Sequence, residues 1–239
     1  MYLSRYDIEA IAGRVIAAYR RLPALRGKQT QKVQPELLIC DLLGLSMDYH
    51  LLSPKGDILG LTACSAAVVS IFDNLERSEY YCLDGRTVLI DSRLLSEHAN
   101  IGHRHFTQVH EACHQIFKML FPKRYAVSTP AQIHYCTNKQ RIHDWEEWRT
   151  NALTSAILMP YDMVWSNMIE FGLGRGIYRL NRVFAPDEYN RFCEMANYME
   201  VSKQALAIRL QHLGLLKENY LKKPYELVDI FPDEEEENV

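Results

Sequence analysis

The sequence predicts an α+β fold: a small, twisted, mostly antiparallel sheet packed against a helical core, with a C-terminal helical segment. Three observations carry this. Apolar residues recur at helical spacing over His105–Leu120. Short β-branched runs follow one another closely between residues 46 and 90. From Pro186 onward two further helical stretches are separated by a tight turn.

The elements follow in chain order. Residues 5–22 read as an amphipathic helix that ends before Pro23. The segment Arg26–Val33 is polar and basic and reads as a loop. Pro35 opens a short helical stretch, PELLICDLLGL, which Gly44 closes. Ser46–Leu52 alternates weakly, and Ile58–Ala63 and Ala67–Phe72 are apolar and partly β-branched. Arg86–Ile90 follows the turn signal Asp84-Gly85. Their short connections favour antiparallel pairing.

His105–Leu120 is the clearest helix, stopped by Pro122. Residues 123–140 read as loop. Asp144–Met159 is a second amphipathic helix ending at Pro160, and 160–170 continue as another after that break. The glycines of FGLGRG mark a turn. Asp187–Met199 and Ser202–Leu213 read as two joined helices. The run DEEEE at 233–237 reads as a solvated tail. The organisation expected is 1–181 as the main domain, 182–232 as a helical segment and 233–239 as the tail.

Composition excludes several classes. The 239 residues are 48% hydrophobic and carry a net charge of −3. That balance gives no basic surplus for non-specific nucleic-acid binding. No stretch reaches the roughly 20 apolar residues that span a bilayer, and the N-terminus lacks a secretory pattern. A cytoplasmic location is therefore expected, with the six scattered cysteines kept as reduced thiols.

The chemistry concentrates in FTQVHEACHQIF, residues 106–117. It places His110 and His114 at i,i+4 on a helix, where both imidazoles can address one ion. Zinc accepts neutral imidazole at about 2.0–2.1 Å, and this spacing suits two tetrahedral corners. Glu111 projects beside that position as a candidate general base. A hydrolytic site needs a third protein ligand and an open corner. Some thirty residues on, Glu147 and Asn151 share one helix face. Glu146 is the rival ligand, pointing about 100° away; Asp144 and His143 are weaker candidates. Trp148, Ala152, Ser155, Ala156 and Met159 are expected on the adjoining, packed face. Asn151 is placed to hold a ligand histidine in one tautomer.

These two helices resemble the ImmA/IrrE family of bacterial metallo-endopeptidases. FTQVHEACHQIF looks like that family's F-x-x-A-H-E-x-x-H helix, and EWRTNALTSAILMP looks like its E-x-x-x-N-x-F-A-x-x-L-L-M-P helix. The resemblance implies a zincin-like core, with His110, His114 and Glu147 holding one zinc ion and Glu111 as catalytic base. It sets the register on Glu147 rather than Glu146. Weaker agreement covers 58–63, 87–91 and 201–215, the last resembling a helix-turn-helix-like segment. The sequence departs from the family pattern at Cys113, usually a small residue such as Gly, and at Leu153 and Thr154. The resemblance also implies the substrate, a helix-turn-helix transcriptional repressor of the Xre type. Candidate oxyanion donors between the two helices are Tyr125, His134, Tyr135 and His143.

A competing function is DNA binding through residues 191–215. Ala196, Val201, Ala205 and Ile208 would form the internal core of the helix pair, Ser202 would cap its second helix, and Lys203, Gln204 and Arg209 would face a groove. Glu194, Glu200 and the acidic tail oppose such binding.

Overall fold

The computed structural model describes residues 3–124, 132–137 and 145–226. Tyr125, His143, Asp144 and the acidic run 233–237 lie outside the described residues.

Helix α1 (Arg5–Tyr19) starts at a capping box. The Ser4 hydroxyl accepts from the Asp7 backbone N–H, and the Asp7 carboxylate accepts from Ser4 N–H. It ends three residues before the predicted 22, because Pro23 cannot continue it and a tight turn replaces its last residues. The stretch opened by Pro35 is helical, but as a π-helix over Leu37–Leu42.

The main sheet contains β1 (Ser46–His50), β2 (Ile58–Ala63), β5 (Thr87–Asp91) and β6 (Ile133–Thr137), in the order β1-β5-β2-β6. β2 runs antiparallel to both β5 and β6, while β1 runs parallel to β5. Between them, β3 (Ala67–Phe72) and β4 (Ser78–Leu83) form an antiparallel hairpin. Its inner side packs on one face of the sheet through Leu52, Leu61, Val69, Ile71, Leu83 and Leu89. The other face receives helix α2 (Ile101–Leu120), with Ala112 among Ile39, Leu59, Val88 and Ile90.

Helices α3 (Trp145–Leu158) and α4 (Tyr161–Glu170) follow, then β7 (Ile177–Leu180), α5 (Pro186–Tyr198), α6 (Lys203–His212) and β8 (Leu216–Asn219). β7 and β8 pair in parallel. The largest core joins α1 through Tyr19, α2 through Val109 and Phe117, α3 through Leu153 and Ile157, and α5 and α6 through Phe192, Met195 and Leu206. Among the described residues no helix is long and apolar enough to cross a membrane.

Four strands were not predicted. β4 is polar and largely exposed, β6 lies where a loop was expected, and β7 and β8 are four residues each. Helix α2 starts at Ile101 instead of His105, because the Asn100 side chain caps it by accepting from His103 N–H at 3.1 Å.

The C-terminal pair corrects two expectations. Ile208 is 40% exposed rather than internal. Arg209 turns inward instead: it is 3% exposed, pairs both guanidinium nitrogens with Glu9 and donates from Nε to Met159 O at 2.9 Å. A partner on α1 decides this, which the local pattern does not contain. Lys203 and Gln204 do remain at the surface, and Ser202 caps α6 by accepting from Ala205 N–H. The turn joining α5 to α6 lies against the first turn of α2. A Cβ on Gly102 would fall 2.4 Å from Ser202 N, so only glycine permits that approach.

Candidate metal centre

Helix α2 is pinned to the sheet by polar bonds as well as by its apolar stripe. The Gln115 amide donates to Thr62 Oγ1 at 2.7 Å and to Ala63 O at 2.8 Å, and Gln108 donates to the Tyr49 hydroxyl at 2.7 Å. These bonds fix the helix's rotation, although the buried Gln108 Oε1 is left without a partner. α3 crosses the side of α2 that bears Cys113. Its buried side chains are Arg149, Thr150, Leu153, Thr154, Ala156, Ile157 and Leu158, continued by Met159. Of the residues predicted to pack there, Ala156 and Met159 are buried, Ala152 and Ser155 are half-buried and Trp148 is 37% exposed.

This crossing brings three side chains together. His110 Nε2 and His114 Nε2 are 3.2 Å apart. Glu147 Oε2 lies 3.2 Å from His110 Nε2, and Glu147 Oε1 lies 3.4 Å from His114 Nε2. A tetrahedral ion with arms of about 2.0–2.1 Å has ligand–ligand edges of about 3.3–3.4 Å. These separations, with the carboxylate offering one oxygen to each histidine, are the size of such edges. The three side chains are close enough to hold one metal ion.

Proton placement points the same way. The Asn151 amide oxygen lies 3.1 Å from His110 Nδ1. An amide oxygen only accepts, so Nδ1 carries the proton and the Nε2 lone pair faces inward. Burial pushes the His114 pKa down to about 3, against the partial opposition of Glu147, so its ring is neutral at pH 7. Burial raises the Glu147 carboxyl, but hydrogen bonds to His110 and His114 outweigh this and hold it well below the usual carboxylate range. A carboxylate and two imidazole nitrogens thus converge in the interior. A ring proton bridges these contacts in the metal-free chain, and a shared cation would take that proton's place. The donor set fits a divalent ion.

Glu111 is fully buried beside this cluster, and neither carboxylate oxygen has a hydrogen-bond partner. Burial first, and then the Glu147 charge, push its pKa well above the usual range. The Cys136 backbone N–H pulls the other way without reaching hydrogen-bond geometry. Gly60 on β2 makes room for this carboxylate: a Cβ there would lie 3.0 Å from both Glu111 Cγ and Oε1.

β6 sorts the expected oxyanion donors by its two-residue period. His134 is on the α2 side and stacks on His114, with centroids 4.1 Å apart and planes at 20°. Its Nε2 lies 3.6 Å from Cys64 Sγ. Tyr135 points to the opposite face, where it lines a cavity of about 450 Å³ with Leu61, Val69 and Phe72. The structure therefore does not bring Tyr135 to the cluster. Glu146 ends 3.6 Å from Arg124 and approaches His114 and His134, within 4.8 Å, rather than joining the triad.

Two participants were missed in the sequence. Cys136 Sγ groups with a His110 nitrogen and a Glu111 oxygen within 4.8 Å. The alternation of Ile133 and Tyr135 against His134 and Cys136 was the available signal. Gly60 offered none, because nothing local marks a close approach. No protein-family model matches the chain, and no curated protein matches it.

The molecule thus belongs to a broad class: a mixed α/β protein with two buried histidines and a half-buried glutamate close enough to hold a metal ion.

Proposed function

We propose that the chain is a zinc-dependent endopeptidase of the ImmA/IrrE kind, with a zincin-like core, whose substrate is a helix-turn-helix repressor. The observation that carries this is the spacing of His110, His114 and Glu147 at 3.2–3.4 Å, with the unpartnered Glu111 carboxylate next to them. Two imidazoles and one carboxylate are the ligand set of hydrolytic zinc, which keeps its fourth corner for water.

His110 and His114 present neutral nitrogens, and Asn151 keeps the His110 ring in the ligating tautomer. Glu147 adds one negative charge. When bound, zinc lowers the pKa of water towards about 7, polarises the scissile carbonyl and offsets the burial that raises Glu111. Glu111 accepts the proton of the attacking water and hands it to the leaving amine nitrogen. Gly60 leaves room for the Glu111 carboxylate, which a Cβ there would crowd.

DNA binding is the weaker alternative. Arg209 is spent on Glu9 and Met159, and the turn between α5 and α6 is packed against Gly102. Lys203 and Gln204 alone supply little of the basic surface that phosphate binding needs.

The test incubates the zinc-loaded chain with the Xre-type repressor encoded beside it and reads fragments by mass. A defined cut that disappears in Glu111→Gln supports peptidase action. An intact repressor together with a low-salt gel shift supports the alternative.

A further inference from the structure

We propose that Cys136 is a fourth ligand, supplied by the protein itself, which closes the metal centre in the resting chain. This rests on the metal centre inferred above.

Cys136 is half-buried in β6, on the strand face that meets α2. Its Sγ, a nitrogen of His110 and a carboxylate oxygen of Glu111 all lie within 4.8 Å of one another. His110 is also a corner of the His110–His114–Glu147 triad, so the sulfur group and the triad share that histidine. A sulfur arm of about 2.3 Å and a nitrogen arm of about 2.0–2.1 Å give an S···N edge of about 3.6 Å.

A second observation points to the same spot. Glu111 is fully buried, and both its oxygens lack a partner. A buried carboxylate needs a donor. Gly60, directly across from Cys136 in the β2–β6 register, has no side chain to displace the Glu111 carboxylate that lies against it.

The neighbouring thiols are otherwise engaged. Cys113 accepts from Thr154 Oγ1 at 3.5 Å in the seam between α2 and α3. Cys64 lies 3.6 Å from His134 Nε2. Among the described residues, Cys136 is the cysteine grouped with the ligands.

The step balances without redox change. The Cys136 S–H bond breaks and a sulfur–metal bond forms. The water at that corner leaves to solvent, and the proton passes to Glu111. Nucleophile and base are lost together, so the resting chain is latent. Displacing or capping the sulfur restores both.

The experiment loads the full chain with Co²⁺ and, separately, with Zn²⁺. Thiolate-to-cobalt charge-transfer absorption and one sulfur at about 2.3 Å in zinc X-ray absorption are expected. Both signals vanish in Cys136→Ser, which keeps its metal, and both persist in Cys64→Ser and Cys113→Ser. If the latent form holds nine molecules in ten, Cys136→Ser cleaves repressor about tenfold faster than the natural chain. A loaded natural chain with only nitrogen and oxygen ligands overturns the inference, and this result needs no variant to fold. If that chain still cleaves, the peptidase assignment survives alone. A chain that takes up no metal overturns both.

Discussion

Replacing Gly60 by alanine tests whether Glu111 does chemistry, because it moves the carboxylate without touching a ligand. The added methyl would lie 2.9 Å from Thr107 Cγ2 and 3.0 Å from Glu111 Cγ and Oε1. Carbon contacts settle at about 3.5–4.0 Å, so a neighbour must retreat by about 0.5–1 Å. Thr107 resists: its side chain is β-branched, and its Oγ1 donates to His103 O at 3.0 Å. Glu111 has nothing to hold it and gives way. A misplacement near 1 Å costs about 10²-fold in rate, and overpacking costs about 1–3 kcal/mol of stability.

The expected variant therefore binds one zinc, melts several degrees lower and cleaves repressor about 10²-fold more slowly. Emission spectroscopy, thermal unfolding and timed mass analysis read the three quantities. Normal turnover in Gly60→Ala with full zinc would refute Glu111 as the base. Loss of zinc would show instead that β2 supports the ligands.

Other outcomes follow from the same geometry. Glu147→Ala loses most bound zinc while Glu146→Ala retains it, measured as metal content after gel filtration; the reverse pattern moves the ligand to Glu146. Asn151→Ala weakens zinc binding about 10–100-fold in a chelator competition, since the His110 ring loses its anchor. Glu111→Gln keeps zinc and slows cleavage about 10²–10⁴-fold. In the metal-free chain, burial holds His114 at about 3 against an ordinary 6.5, so the unfolded state binds the extra proton between these values. Stability is therefore lost as pH falls through that window, and Glu147, also held low, adds to the loss at its acid end. Glu111 is shifted upward and works in the opposite sense, so Glu111→Gln steepens the loss in chelator-treated melts.

The triad was legible because helices convert sequence spacing into direction. His110 and His114 are one turn apart, while the choice of Glu147 over Glu146 came from the resemblance and not from spacing. The main strands β2, β3 and β5 were legible from their β-branched runs. What surrounds the triad was not, because it comes from pairings distant in sequence. β6 is five residues of mixed polarity, and its identity as a strand depends on β2. Arg209 and Ile208 exchange their expected places because Glu9, on α1, awaits the guanidinium. Gly60 reads as an ordinary strand residue, and Gly102 falls before the predicted helix, until the neighbouring carboxylate or backbone is seen.

The cluster is held against its own electrostatics, and the fold must bear that cost before any ion arrives. Its three donors would separate if their helices were free to slide. They are not free, because Val109 and Phe117 of α2 and Leu153 and Ile157 of α3 lie in one close-packed core. Gln108 and Gln115 lock α2 in rotation against the sheet. Binding an ion therefore needs little reorganisation, so most of the attraction between cation and ligands remains as affinity. Glu111, buried and unpartnered, belongs to the same arrangement: its desolvation is a cost to the metal-free fold that a neighbouring positive charge turns into an advantage. A fold selected for stability alone would place an apolar side chain at residue 111, so the buried carboxylate points to chemistry rather than packing.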